Sequence, residues 1–394
     1  MNFVTGLHCV ECGTPHEADV PQTTCSKCRR PLAVDYDLDK IRAAATRDAV
    51  ERRRGSMWRY REVLPLDLDR KPVSLGEGGT PLLELPRLGR SLGLNLWAKD
   101  EATNPTGSFK ARGMSAAVTM AREFGARAVA APSAGNAGGA LAAYGARAGL
   151  PVHLAMPRDV PIANRLESEA CGATVELIDG TIADCGQWIG SRASGERWVD
   201  VSTLKEPYRV EGKKTMGYEL AEQLGWELPD VILYPTGGGT GLVGMDKAFT
   251  EMRELGWLDS RGDSPRMVAV QAAGCAPVVR AFERDADRAI VPEAPTTCAA
   301  GLRVPSPIGD RWMLDVLRRS EGTALAIEDA ELVDATVRLS REEGIFSAPE
   351  AGALVAACVR LRKSGWLDPK ARVVLFLTGS GLKYFEVWRR AFRA

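Results

Sequence analysis

The chain has 394 residues, of which 45% are hydrophobic and 26% charged, and its 51 Lys and Arg balance its 51 Asp and Glu. This length predicts two or three structural units with a sizeable core. The balanced charge gives no reason to expect nucleic acid or a membrane surface as a partner. No uncharged apolar stretch reaches about 18 residues, and no leader-like region opens the chain, so we expect a cytoplasmic protein.

The first thirty residues read as a separate unit built around cysteines. Two Cys-x-x-Cys pairs occur in it, Cys9 with Cys12 and Cys25 with Cys28. Four thiolates complete a tetrahedral Zn²⁺ sphere and leave no position for water, so the predicted site is structural, although His8 and His16 are near enough to compete as ligands. The alternative is a redox pair or ordinary reduced cysteines. The other five cysteines are scattered singly, which speaks against a disulfide framework.

The charged segment that follows has no Gly or Pro between Asp39 and Arg54. This composition predicts a connecting helix on the surface of the body.

Further along, short apolar runs end in Gly-rich or Ser-rich loops that lead into helices, which is typical of an α/β fold. The clear runs are Arg127–Ala131, Val231–Pro235 and Val373–Leu377, followed by loops 132–136, 236–241 and 378–381. Helical stretches follow the first two loops, at 140–148 and 242–255. Because parallel strands present ligands at their carboxyl ends, we expect the three loops to line one crevice.

Two local motifs are candidates for a phosphate-binding loop and for a reactive lysine. The loop Thr236-Gly237-Gly238-Gly239-Thr240-Gly241 lies between a predicted strand and helix, where backbone N–H groups favour a phosphate. It matches neither a P-loop nor a dinucleotide fingerprint, and a plain tight turn is its alternative explanation. The second motif sets Lys110 among small hydroxyl and glycine residues before a helix; taken alone, such a lysine is usually solvated.

The histidines support a lysine as the acid–base group. Only His8, His16 and His153 exist, and His153 lies in the apolar run 151–156, which we predict to be a core strand. No Ser–His–Asp triad or histidine metal site can be assembled from them.

Several segments resemble, in order and spacing, the motifs of threonine synthases, which are fold-type II pyridoxal-phosphate (PLP) enzymes. They are Glu77-Gly78-Gly79-Thr80-Pro81-Leu82, Asn104-Pro105-Thr106-Gly107-Ser108-Phe109-Lys110, Ser133-Ala134-Gly135-Asn136, Glu211-Gly212-Lys213-Lys214-Thr215 and Thr378-Gly379-Ser380-Gly381-Leu382-Lys383. The resemblance runs from about residue 8 to residue 385. It implies a tryptophan synthase β-like fold of two three-layer α/β domains after a zinc-ribbon-like knuckle. The expected boundaries are a knuckle at 1–35, a large PLP-binding domain at 36–113 with 211–394, and a small substrate-closing domain at 114–210.

The resemblance also implies roles for individual residues. Lys110 would carry the cofactor as an imine and later move protons, and Asn136 would contact the cofactor's 3′ oxygen. Thr378 would meet the pyridine nitrogen with a neutral hydroxyl. The phosphate of PLP would lie on Gly237, Gly238, Gly239, Thr240 and Gly241. The substrate carboxylate would lie on Ser133, Ala134, Gly135 and Ala137.

The reaction implied is that of a lyase of threonine biosynthesis: O-phospho-L-homoserine and water give L-threonine and phosphate by γ-elimination and β-addition. The leaving phosphate then needs a cation, for which Lys214, Arg165, Lys213 and Arg209 are the candidates. The partners implied are a small amino-acid substrate and a second copy of the chain in a homodimer.

Departures from the family pattern keep other reactions open. Ala137 stands where relatives often have Thr or His, and Ser380 stands where threonine synthases often have His. A threonine/serine dehydratase and a β-replacement enzyme of specialised metabolism are therefore alternatives. The non-enzymatic alternative is an inactive PLP-fold binding subunit, against which the presence of Lys110 and of the glycine loop argues.

Overall fold

The computed structural model describes residues 2–259 and 264–392. Within these ranges the strands are β1 (Val4–Cys9), β2 (Pro15–His16), β3 (Leu32–Tyr36), β4 (Leu82–Glu84), β5 (Asn95–Asp100), β6 (Val129–Pro132), β7 (Val152–Pro157), β8 (Thr174–Ile178), β9 (Val199–Asp200), β10 (Val231–Pro235), β11 (Arg266–Ala272), β12 (Thr323–Ile327) and β13 (Arg372–Leu377).

The helices in the same ranges are α1 (Leu38–Ala44), α2 (Arg47–Glu51), α3 (Pro86–Leu92), α4 (Lys110–Glu123), α5 (Asn136–Ala148), α6 (Ile162–Ala170), α7 (Ile182–Glu196), α8 (Tyr208–Gln223), α9 (Thr240–Glu254), α10 (Pro277–Glu283), α11 (Asp310–Arg319), α12 (Asp329–Glu343), α13 (Pro349–Lys363) and α14 (Phe385–Ala391). Short 3₁₀ turns lie at Met57–Val63, Glu101–Thr103, Pro105–Gly107, Ala300–Leu302 and Gly381–Lys383.

The N-terminal unit is a three-stranded antiparallel sheet in the order β2-β1-β3. It is tied to the body by polar contacts of β3. The Tyr36 hydroxyl donates to Glu211 on α8 at 2.7 Å, and the Lys247 ammonium on α9 donates to the Val34 carbonyl at 2.7 Å. The N-terminal unit is therefore packed against α8 and α9.

The largest sheet has six strands in the order β12-β11-β10-β13-β5-β4, parallel except for the edge strand β4. Every residue of β10 is buried, as expected for a central parallel strand covered by helices on both faces. Because β10, β13 and β5 are neighbours, their carboxyl ends lie side by side at one edge of the sheet.

A second, four-stranded parallel sheet has the order β8-β7-β6-β9 and draws all its strands from residues 129–200. His153 lies on β7, as predicted, and its ring stacks on Trp198 with centroids 4.0 Å apart.

The predicted strands and helices around the loops are confirmed to within a few residues at each end. The predicted single helix over 39–54 is wrong, because α1 ends before Ala45, which is extended and buried, and Thr46 then caps α2 by accepting from the Ala49 amide at 3.2 Å. Ile41 and Val50 are fully buried while most residues around them are exposed, so the two helices lie on the surface, as predicted, with one face against the core.

None of the helices in the described ranges is long and apolar enough to cross a membrane.

Candidate active site

The three predicted loops meet at one cleft. A cavity of about 470 Å³ is lined by residues of all three, including Ser133 to Asn136, Gly237 to Thr240, and Thr378 with Gly379. Lys110 lines the same cavity. A pocket of this size is in the range that holds small cofactors and their substrates.

Lys110 lies at the start of α4, and the segment between β5 and α4 places it in the cleft. The Phe109 amide donates to the Thr378 carbonyl at 3.1 Å, and Ser108 pairs with Gly379, so the start of α4 is fastened to the end of β13. Burial and the positive charge of Arg209 lower the pKa of Lys110 to about 7, although Glu350 opposes the shift. Near neutral pH much of this amine is therefore unprotonated and nucleophilic.

A buried ionic network behind Lys110 fixes the first turn of α4. The Arg112 guanidinium is fully buried and donates to Glu101 at 2.7 and 2.8 Å and to Glu219 at 3.0 Å. Glu219 also accepts the Gly79 and Thr80 amides at 2.9 and 2.8 Å. The network joins the segment 77–82 to the loop that carries Lys110. The motif at 77–82 therefore has a structural role.

The glycine loop at the N-terminus of α9 is packed too closely against its neighbours to carry side chains. A Cβ at Gly237 would lie 2.4 Å from the Gly301 carbonyl oxygen, and a Cβ at Gly238 would lie 2.6 Å from the Thr203 methyl. Gly239 has a φ of +76°, which favours glycine. Amides at the start of a 15-residue helix, with no side chains over them, form an anion site.

Polar atoms without partners also face this region. Asn136 Oδ1 is buried and has no hydrogen-bond partner among the described residues. Ser133 stiffens the neighbouring loop, since its hydroxyl accepts the Gly138 amide at 2.8 Å. A nucleophilic lysine, a side-chain-free phosphate cradle and an unused amide oxygen fit the donor and acceptor set of PLP.

Of the four cationic residues predicted as candidates for binding the leaving phosphate, only Arg209 lines the cleft. Arg209 lines the cleft, and its Nε has no partner among the described residues. Lys213 lies behind the Phe109 ring, fully buried, and is absent from the cleft wall.

Lys214 and Arg165 do not belong to the cleft, which corrects their prediction as substrate residues. Lys214 is fully buried in ion pairs with Glu211 at 2.6 Å and Glu251 at 2.9 Å. Arg165 is half-exposed on α6 and pairs with Glu169 one helical turn away. Their charges are balanced elsewhere, so neither is available to a phosphate in the cleft.

The sequence reasoning missed the wall formed by residues 300–308 and by Glu350. Glu350 is 4% exposed, and its Oε1 accepts the Gly301 amide at 2.8 Å and the Tyr384 hydroxyl at 2.5 Å. Arg303 forms a two-point ion pair with Asp159 at 2.6 and 2.8 Å. No local sequence pattern marks Glu350 or Arg303 as cleft residues, because neither the burial of a carboxylate nor the partner of an arginine can be read from the neighbouring residues.

The four cysteines of the N-terminal unit come together at the tips of its loops. All four Sγ atoms lie within 4.8 Å of one another, and three pairs are separated by 3.3, 3.5 and 3.6 Å. A tetrahedral Zn²⁺ with bonds of about 2.3 Å requires sulfur atoms about 3.8 Å apart. The donor set and its spacing therefore fit zinc.

Comparison with known proteins identifies the family. The model of the family described as "Pyridoxal-phosphate dependent enzyme" matches residues 73–379. The threonine synthase of Methanocaldococcus jannaschii is 35% identical over 377 residues, which are 95% of this chain and 92% of that protein. The chain belongs to the threonine synthase family of PLP-dependent enzymes. The threonine synthase of Methanosarcina acetivorans is 38% identical, over 96% of this chain and 92% of that protein.

Solved structures confirm the fold-type II architecture. Maize serine racemase superposes with a TM-score of 0.68 at 22% identity, covering 80% of this chain and 92% of that one. A threonine deaminase from Solanum lycopersicum gives a TM-score of 0.65 at 19% identity, covering 80% and 84%. At such identities these enzymes report on the fold and not on the reaction.

Proposed function

We propose that this chain is a threonine synthase, a PLP-dependent lyase that converts O-phospho-L-homoserine and water to L-threonine and phosphate. The nearly full-length similarity to threonine synthases supports this function. The observation that carries it in the structure is the meeting in one cleft of Lys110, the glycine loop and Arg209, whose Nε has no partner among the described residues.

Each cofactor contact is assigned to a residue that the resemblance implies, and all of these residues except Gly241 line the cleft. Lys110 would hold the aldehyde carbon, Gly237 to Gly241 would bind the phosphate, and Asn136 would meet the 3′ oxygen. Thr378, which is largely buried at the end of β13, would face the pyridine nitrogen. When bound, PLP supplies an electron sink for the negative charge that develops on the amino acid. The unprotonated Lys110 amine would remove a proton from the substrate, and the ammonium formed in that step would return it.

The substrate's two anionic groups would bind at opposite ends of the cleft. Backbone amides of 133–137 at the N-terminus of α5 would hold the α-carboxylate. Arg209 would hold the leaving phosphate, because its guanidinium keeps its charge and carries an unused donor. Lys205, which lines the cleft and lies 3.8 Å from Asp200, would assist it. A substrate without a phosphate would leave these cations unused, which favours the synthase over a dehydratase.

We further propose the domain boundaries and partners stated above. The strands of the four-stranded sheet all lie between 129 and 200, which supports a small domain at 114–210. Its closure over substrate would exclude water until the addition step. A structural Zn²⁺ in the N-terminal knuckle is supported by the sulfur spacing. The homodimer stays a prediction from the family resemblance, and the cytoplasmic location stays a prediction from the sequence.

The test is a two-product assay with O-phospho-L-homoserine, in which phosphate and threonine are measured together. L-threonine and L-serine are offered in parallel, and 2-oxoacid is measured. Equal release of phosphate and threonine supports the synthase. Formation of 2-oxoacid without phosphohomoserine turnover would make the chain a dehydratase, and inactivity towards all three substrates would contradict both functions.

A further inference from the structure

The lysine that ends the motif at 378–383 has no part in the proposed reaction. Lys383 follows β13 of the six-stranded sheet and is absent from the cleft wall. Its ammonium donates to Glu167 Oε2 at 2.6 Å, and the two side chains are only 12% and 21% exposed. Glu167 lies on α6, between β7 and β8 of the four-stranded sheet. This contact, the inter-sheet pair, therefore joins the unit built on the larger sheet to the unit built on the smaller one.

The carboxylate of the inter-sheet pair lies against the first turn of α5. A Cβ at Gly139 would overlap Glu167 Oε2, so any side chain at position 139 would displace the carboxylate. Gly139 is the fourth residue of α5, whose N-terminal amides are the proposed site of the substrate's α-carboxylate. The other end of α5 is anchored separately, because the buried Tyr144 hydroxyl donates to Glu77 at 2.6 Å. The inter-sheet pair therefore acts on the end of α5 that would bind substrate.

The lysine end of the pair is fixed to the segment that precedes α4. The Ser380 amide donates to the Gly107 carbonyl at 2.9 Å, and the Trp388 indole donates to the Gly381 carbonyl at 2.8 Å. A Cβ at Gly107 would lie 3.4 Å from Lys383 Cε, so the lysine stem passes close over that backbone. The turn at 381–383 is thus held in place, and the ion pair sets the position of α5 relative to it.

Two further contacts join α6 and the loop before it to the unit of the larger sheet, and both are more open to water. Arg303 pairs at 2.6 and 2.8 Å with Asp159, which is exposed. The Ile162 amide donates to the exposed Glu386 carboxylate at 3.2 Å. Exposed ion pairs contribute little, because water and salt screen them. The inter-sheet pair is better shielded, so we expect it to hold the two units together more strongly.

We propose that Lys383 and Glu167 are positioning residues whose ion pair keeps the first turn of α5 in place for substrate binding. The proposal rests on the proposed function, because it takes the α5 N-terminus as the carboxylate site. When only a fraction of the molecules has the cleft arranged for binding, the apparent affinity falls by that fraction. Saturating substrate restores the arrangement. Loss of the pair should therefore raise KM and change kcat much less.

The charges of the pair predict an order among the variants. Without Lys383, the Glu167 carboxylate is left unpaired beside the first turn of α5, where it repels an incoming carboxylate. Without Glu167, the remaining charge is positive and does not repel that anion. Lys383→Met should therefore raise KM more than Glu167→Gln does. The double variant should have a lower KM than Lys383→Met alone, because the unpaired carboxylate is gone.

The test measures KM and kcat of the full-length holoenzyme with O-phospho-L-homoserine. Lys383→Met should raise KM about tenfold, and Glu167→Gln and the double variant about threefold, with kcat changed less than twofold. Arg338→Met is the matched control: its pair with Glu342 lies within α12, with side chains 34% and 25% exposed, and its KM should equal that of the wild type. A KM equal to the control in both single variants, or a double variant no better than Lys383→Met, overturns the proposal. If Lys383→Met does not fold, Glu167→Gln decides alone.

Hydrogen exchange separates a failure of the pair from a failure of the proposed function. In the holoenzyme without substrate, the amides of α6 and of the first turn of α5 should exchange faster in Lys383→Met and Glu167→Gln than in the wild type or Arg338→Met. A wild type that does not turn over phosphohomoserine refutes the function, and the exchange rates then decide the role of the pair. Unchanged rates in both variants would overturn it, whereas faster exchange at these two sites would support it.

Discussion

Replacing Arg112 by Met is the perturbation with the largest expected effect on stability outside the cleft. The substitution keeps a long side chain but leaves the fully buried Glu101 without its ion-pair partner and leaves Glu219, whose side chain is 5% exposed, paired with Lys99 alone. Removing one partner of a buried ionic network typically costs about 3–5 kcal/mol. With an unfolding entropy of about 2.1 cal/mol/K per residue, 394 residues give about 0.8 kcal/mol/K, so the melting temperature should fall by about 4–6 °C.

The pH dependence of this loss has a defined sign. Burial alone would raise the pKa of Glu219, but Arg112 and Lys99 outweigh it and hold that pKa well below its usual range. In the wild type this carboxylate therefore contributes stability above its unfolded pKa, and the contribution is lost as the pH falls. In Arg112→Met burial would raise the pKa of Glu101, because the opposing charge of Arg112 is lost, so ionising this carboxyl costs stability as the pH rises. The gap between the two proteins should be larger at pH 8 than at pH 5.5.

The assay is calorimetric melting of wild type and variant at both pH values, with Arg158→Met as the control. Arg158 pairs with Asp179 on the surface, with side chains 60% and 79% exposed, and its loss should cost less than about 1 kcal/mol. Cofactor affinity should also fall in Arg112→Met, because Lys110 lies two residues away at the start of the same helix. A melting temperature equal to that of the control, at pH 8, would refute the reasoning.

Three further substitutions probe the phosphate cradle, the knuckle and the mouth of the cleft. Gly239→Ala places a Cβ 2.0 Å from the Met313 sulfur at a positive φ, so PLP affinity should fall about tenfold in a fluorescence titration, a difference of about 1.4 kcal/mol. Cys25→Ser should reduce bound zinc, measured by elemental analysis, and lower the melting temperature while kcat is retained; full stability of a zinc-free wild type would contradict this. Asp159→Asn should change stability by less than about 1 kcal/mol, since its pair with Arg303 is solvent-exposed on the Asp159 side; a larger loss in chemical denaturation would show that the pair holds the cleft together.

The strand-to-helix loops were predictable because their signals are local. An apolar run of five residues, a glycine-rich turn and an amphipathic stretch are contiguous in the chain, and parallel topology alone places their ends together. The cysteine cluster was also predictable from a local signal, because the two cysteines of each pair are only three positions apart in the chain. The cofactor was predicted only from the resemblance to threonine synthases, because no local pattern in the chain indicates PLP.

The errors arose where the outcome depends on which face of a helix meets the cleft. Arg209, Lys213 and Lys214 all lie on α8, but residues four apart share a face, so Arg209 and Lys213 point to one side and Lys214 to another. Lys214 then finds Glu211 on its own helix and Glu251 on α9, a pairing set by helix packing. Glu350 was missed for a different reason, because its partners Gly301 and Tyr384 lie 49 and 34 residues from it along the chain.

The most direct test of the site is to identify the lysine that carries the cofactor. The full-length holoenzyme is reduced with borohydride and digested, and the peptide that gains the mass of reduced PLP is sequenced by mass spectrometry. The account predicts the added mass on Lys110, and its loss in Lys110→Ala together with the cofactor absorbance. Cofactor mass on another lysine such as Lys213, or full activity in Lys110→Ala, would contradict the assignment of this cleft.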